Sequence, residues 1–90
     1  MIKFKIAETD LFTKQLKLLN NKSLYSKVKN YVYPQLFENP FYGLNIKKLK
    51  GDLSDTYRYR IGNYRLFYEL DMENNVIVIL SIKDRKDSYK

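Results

Sequence analysis

Residues 2–7, IKFKIA, alternate apolar and basic side chains, with Ile2, Phe4 and Ile6 on one side and Lys3 and Lys5 on the other. That period of two is the mark of a half-buried β-strand, and lysines on the polar side suit a sheet edge. The period then changes. In ETDLFTKQLKLLNN, Leu11, Phe12, Leu16 and Leu19 fall along one helical stripe behind a cap at Thr9 or Asp10, and Asn20-Asn21 ends the run. A second helix opens near Ser23 and repeats Leu24, Val28, Tyr31, Val32 and Leu36 at helical spacing. Pro34 interrupts it, because a proline inside a helix loses a hydrogen bond and clashes with the preceding turn. A kink, or a restart with Pro34 in the first turn, is expected there. The two helices then form a hairpin.

Residues 38–55, ENPFYGLNIKKLKGDLSD, have the Pro, Gly and Asn content of a connecting loop, with Lys47, Lys48 and Lys50 near its end. Strand-like runs flank Gly62-Asn63, and VIVILSIK, residues 76–83, is apolar enough to sit centrally in a sheet. The pattern predicts an α+β fold in one domain spanning residues 1–90. An N-terminal strand and a helical hairpin precede a three-stranded antiparallel meander, with the helices on one face of a single sheet.

Gly-Asn between two strands signals a two-residue hairpin, which fixes the register. Ile61 then faces Tyr64, Arg60 faces Arg65, Tyr59 faces Leu66 and Arg58 faces Phe67. Alternation sends Tyr57, Tyr59, Ile61, Tyr64, Leu66, Tyr68 and Leu70 toward the helices. Arg58, Arg60, Arg65, Phe67 and Glu69 go to the opposite face. Carrying the last strand on in phase places Ser81 beside Arg65 and Lys83 and Arg85 on the same face. Two like charges about 5 Å apart repel by about 0.8 kcal/mol in water and about 3 kcal/mol at an effective dielectric of 20, so stability alone does not favour the Arg60–Arg65 pair. Local rules broken in this way mark functional surfaces.

Charge supports that reading. Seventeen Lys and Arg against ten Asp and Glu leave a net charge of +7, which favours polyanionic partners. All the arginines, Arg58, Arg60, Arg65 and Arg85, lie within residues 58–90. The guanidinium fork matches phosphate better than an ammonium does. The chain has no Cys and no His, which removes thiolate chemistry and the commonest general base and metal ligand. No cofactor or metal is expected. No apolar run is long enough to span a bilayer and the start lacks a signal-peptide pattern, so a cytoplasmic protein is expected.

KLKGDLSDTYRYRIGNYRLFYELD followed by IKDRKDSYK resembles the RelE branch of the RelE/ParE toxin superfamily, the toxin half of toxin–antitoxin modules. The resemblance implies a ribosome-dependent endoribonuclease that cuts mRNA in the decoding site without metal, by attack of the ribose 2′-OH on the adjacent phosphate. It also implies an antitoxin partner that silences the toxin. By motif, Arg58 and Arg60 match basic catalytic residues, Arg65 a transition-state arginine and Arg85 a second phosphate-binding arginine. Tyr89 matches a base-stacking tyrosine. Lys47, Lys48, Lys50, Phe67 and Lys83 are the expected RNA-binding residues. Asp84 stands where many relatives have His and, with Glu69, is a candidate for proton transfer. The same scaffold also carries ParE-like inhibitors of DNA gyrase, the alternative activity, and a basic face of this kind also suits a non-toxic interaction module.

Overall fold

A computed structural model of the chain describes residues 3–49 and 56–84. The elements run β1 (Lys5–Glu8), α1 (Asp10–Leu19), α2 (Lys22–Lys27), a π-helical turn (Val28–Val32), α3 (Tyr33–Glu38), β2 (Ile46–Lys48), β3 (Thr56–Ile61), β4 (Tyr64–Asp71) and β5 (Val76–Asp84). The strands form one five-stranded sheet in the order β1-β5-β4-β3-β2. β1 runs parallel to β5, and the other neighbours are antiparallel. The expected α+β architecture is present, with one strand more than the pattern predicted. β2 lies inside the stretch read as a loop: three residues are too few to display a period, and they form a strand by pairing with the open edge of β3.

Thr9 caps α1 by accepting from the Phe12 N–H, and Asn20 ends the helix in the left-handed region at φ 49° with its N–H on the Leu16 and Lys17 carbonyls. Asn21 then caps α2. Pro34 lies in the first turn of α3, as expected. The helix absorbs it upstream through the π turn, in which the Tyr33 N–H reaches back to the Val28 carbonyl. Leu24, Val28, Val32 and Leu36 stay buried through that turn, whereas Tyr31, expected on the same stripe, is 71% exposed. Leu11 on α1 is likewise exposed, and Phe12 takes the buried position.

The helical layer buries these side chains against Tyr57, Tyr59, Leu66, Tyr68, Ile77, Ile79 and Ile82 of the sheet. Each large apolar group removed from water contributes about 1.5–3 kcal/mol. The core tyrosines keep their hydroxyls satisfied. Tyr68 stacks on Tyr57 with ring centroids 5.4 Å apart and donates to the Pro40 carbonyl at 2.7 Å, and Tyr59 donates to Gln35 Oε1. Tyr33 donates to Glu8 Oε2 at 2.6 Å, tying α3 to β1.

The phase of β5 shifts midway. Tyr68 pairs with Ile79 but Phe67 pairs with Ser81, so Leu80 is an extra residue in the ladder. Strict alternation from Ile77 and Ile79 would bury Ser81 and Lys83; the bulge buries Ile82 instead. β1 pairs with β5 only from Val76 to Ile79. Beyond it, α1 satisfies the β5 backbone: Thr9 Oγ1 donates to the Leu80 carbonyl at 2.8 Å, and Gln15 Oε1 accepts from the Ile82 N–H at 2.8 Å. Among the described residues, no helix is long and apolar enough to cross a membrane.

Burial, and then the Glu8 carboxylate, push the Tyr33 hydroxyl above the ordinary tyrosine value of 10.0. Burial, followed by the neighbouring Tyr57 and Tyr59, does the same to Tyr68. A group whose folded pKa is raised binds its proton more tightly in the native state. The stability it contributes is therefore complete below the unfolded pKa and falls as pH rises beyond it. Urea unfolding midpoints should be flat from neutral pH to about pH 10 and then fall. Tyrosinate absorbance should show fewer than the nine tyrosines titrating before unfolding. A flat midpoint well above that pH would contradict the buried assignment.

Candidate functional site

The observed register of β3 and β4 matches the predicted one pair for pair, from Tyr57 with Tyr68 to Ile61 with Tyr64. Gly62 takes φ +53° and Asn63 does not enter the left-handed region, the pattern of a type II′ turn, whose twist matches that of the strands. The Arg60 N–H points outward and donates to the Asn45 carbonyl at 2.9 Å. Arg60 and Arg65 are thus a non-hydrogen-bonded pair, the geometry in which facing side chains lie closest.

Cross-strand partners share a face, so the pairings build rows across the sheet side away from the helices. One row is Arg60, Arg65 and Lys83. The next is Lys47, Arg58, Phe67 and Ser81. A third is Thr56, Glu69, Val78 and Ala7. Strands lie about 4.8 Å apart, so the first row spreads its cations over about 10 Å, the scale of a phosphodiester and its neighbours. Arg58, Arg65 and Phe67 are half-buried, while Arg60 and Lys83 are exposed. The site is a shallow cationic face with an aromatic ring among the charges.

Several sequence expectations move. Lys83, rather than Ser81, faces Arg65: the Asp71–Val76 pairing starts β5 one residue off the expected register, and the extra residue at Leu80 adds one more. Lys47 faces Arg58 and joins the cationic rows, but Lys48 faces Tyr57 on the helical side, its ammonium 5.9 Å from that ring centroid. Asp84 pairs with Tyr64, which places it on the helical side, next to Gln15 and Leu18 in a cleft against α1. Glu69 is the proton-transfer candidate on the arginine face. Lys50, Arg85 and Tyr89 lie outside the described residues.

Comparison with known proteins places the fold. A family model for the ParE toxin of the type II toxin–antitoxin system parDE matches residues 8–89. Toxin RelG of Mycobacterium tuberculosis is 41% identical over 44 residues, covering 49% of this chain and 51% of that protein. The match thus spans about half the length of that curated relative. Among solved structures, the toxin–antitoxin complex RelBE2 from Mycobacterium tuberculosis is similar with a TM-score of 0.78 and 26% identity, covering 93% of this chain and 100% of the other. The archaeal RelE–RelB complex from Pyrococcus horikoshii aligns with a TM-score of 0.75 and 28% identity, covering 92% and 96%.

The rows depend on the Gly62 turn. A Cβ placed at Gly62 would meet no atom within 4 Å, so substitution there carries only a conformational cost. Gly62→Ala should lose about 1–2 kcal/mol of unfolding free energy, the cost of holding an L-residue in the left-handed region. Amide exchange at Ile61 and Tyr64 should accelerate, while that at Ile77 and Ile79 should change only with global stability. Unchanged protection at the turn would place the register constraint elsewhere.

Proposed function

The chain belongs to the RelE/ParE toxin superfamily of type II toxin–antitoxin systems, and from that premise we propose that it is a ribosome-dependent mRNA endoribonuclease. The observation that carries the reading is the row Arg60, Arg65, Lys83 beside the row Lys47, Arg58, Phe67. A scissile phosphate over these rows meets cations from four adjacent strands. In the reaction the ribose 2′-oxygen bonds to phosphorus and loses its proton. The bond from phosphorus to the 5′-oxygen breaks, and that oxygen takes up a proton. The products are a 2′,3′-cyclic phosphate and a new 5′-hydroxyl.

Charge develops on the non-bridging oxygens, and preorganised cations stabilise it most where water is excluded. Arg58, Arg60 and Arg65 serve that purpose and not proton transfer, because a guanidinium does not give up its proton in proteins. Lys47 and Lys83 are the groups at the margins of the rows from which a leaving oxygen can draw a proton. Glu69, diagonal to Arg58 on the same face, suits the role of accepting the 2′-OH proton better than Asp84 does. Phe67 offers a base a stacking surface between the arginines. Arg85 and Tyr89 take, in this reading, the second phosphate contact and a further stacking contact. A cognate antitoxin would cover the cationic face and keep the toxin silent, and the ribosome would present mRNA in its A site.

Arg65→Ala should relieve the growth arrest that expression of the chain causes, with mRNA cleavage on translating ribosomes down by about 10²–10³, the loss typical of one transition-state donor. Arg65→Lys should retain part of the activity. Primer extension on a translated message reads the cleavage, and a supercoiling assay on DNA gyrase provides the contrast. Undiminished toxicity of Arg65→Ala, or inhibition of gyrase without mRNA cleavage, would reject the nuclease reading in favour of a ParE-like inhibitor.

A further inference from the structure

The cationic face does not end at the hairpin edge. β2 begins only at Ile46, so the tip of β3 overhangs a groove between the hairpin and the helical layer. A cavity of about 470 Å³ lies there, bounded by Lys27, Tyr31, Asn45, Arg60 and Gly62. A second, of about 220 Å³, continues it around the turn past Ser23, Asn63 and Tyr64, with Lys27, Ile61 and Gly62 common to both. Arg60 belongs at once to the row with Arg65 and to the wall of this groove.

Three properties narrow the occupant. None of the residues bounding either cavity is acidic, while Lys27 and Arg60 flank the larger one, so the groove suits an anionic chain. Tyr31 stands at its rim, a residue 71% exposed, although its helical spacing assigned it to the core. It lies within the π turn, and such turns recur at functional sites. Alternating cations and exposed aromatic rings are the arrangement that binds single-stranded nucleic acid, with the charges tracking phosphates and the ring taking a base. The size of the larger cavity falls within the range of ligand clefts, about 300–1,000 Å³.

We infer that this groove is a second nucleotide-binding subsite. Resting on the nuclease reading above, it takes single-stranded RNA flanking the scissile phosphate. The strand leaves the arginine rows over the tip of β3, with Arg60 as the shared contact. Tyr31 stacks on one base, and Lys27 binds the phosphate beside it. Asn45 and Asn63 present amides to base edges along the path.

The test titrates the toxin and its variants against a translated message and reads both the half-saturating toxin concentration and the maximal cleavage rate. Tyr31→Ala should raise the half-saturating concentration about tenfold, within the effect of losing one base–aromatic stack, and leave the maximal rate within twofold. Tyr31→Phe should behave as the parent protein, and Lys27→Gln should shift the same parameter in the same direction. Thermal melting identifies any variant that is misfolded, which the exposure of Tyr31 makes easy to avoid. An unchanged half-saturating concentration for Tyr31→Ala would overturn the subsite while leaving the nuclease reading intact. So would a fall confined to the maximal rate, or a loss of antitoxin binding with cleavage unaltered, the last assigning the groove to a protein partner. A parent protein that cleaves no message fails independently of Tyr31, and removes the nuclease reading and the subsite together.

Discussion

Strand parity governs this molecule. A sheet with one face against helices and the other carrying charge tolerates no one-residue slip, because a slip exchanges the two sets of side chains completely. Two local devices set the parity here. The Gly62 turn locks β3 to β4, and the extra residue at Leu80 re-phases β5 so that Ile82 faces the core and Lys83 the arginines. Without the second device, an ammonium would enter the apolar layer and an isoleucine would leave it, at a cost that neither packing nor hydrogen bonding could offset.

That constraint explains how a fold of this size holds its cations close together. Repulsion between Arg60 and Arg65 amounts to a few kcal/mol at most, comparable to the burial of one or two core side chains. The opposite face supplies many such burials, from Phe12 on α1 to Leu36 on α3, together with Tyr33, Tyr59 and Tyr68, whose hydroxyls are committed to Glu8, Gln35 and Pro40. Stability resides on one side of the sheet, so the face proposed for RNA can carry unfavourable charge without compromising the core.

The sequence made legible what depends on local rules. The hairpin pairing follows from Gly62-Asn63; the sequence offers Thr9 or Asp10 as the cap, of which Thr9 serves, and a kink or a restart at Pro34, which falls in the first turn of α3. Three arginines on one face followed from that pairing, as did the burial of Tyr57, Tyr59, Leu66 and Tyr68. The features that escaped reading were decided by tertiary context. β2 exists because β3 offered an open edge, and its three residues carry no period of their own. The bulge at Leu80 responds to the need to bury Ile82, and it moved Lys83 opposite Arg65. The π turn rotates Tyr31 out of a stripe that ideal helical spacing assigns it to. Asp84 sits near the arginines in sequence and behind them in space, since one step along a strand reverses the direction of a side chain.

The way α1 completes β5 beyond the end of β1 also limits how this sheet can grow. With the Leu80 carbonyl and the Ile82 N–H engaged by Thr9 and Gln15, that border offers no backbone ladder to a foreign strand. Among the described residues, the margins left for sheet extension by another polypeptide are the outer ones of β1 and β2. These are short and studded with Lys5, Lys47 and Lys48, which discourages uncontrolled self-association.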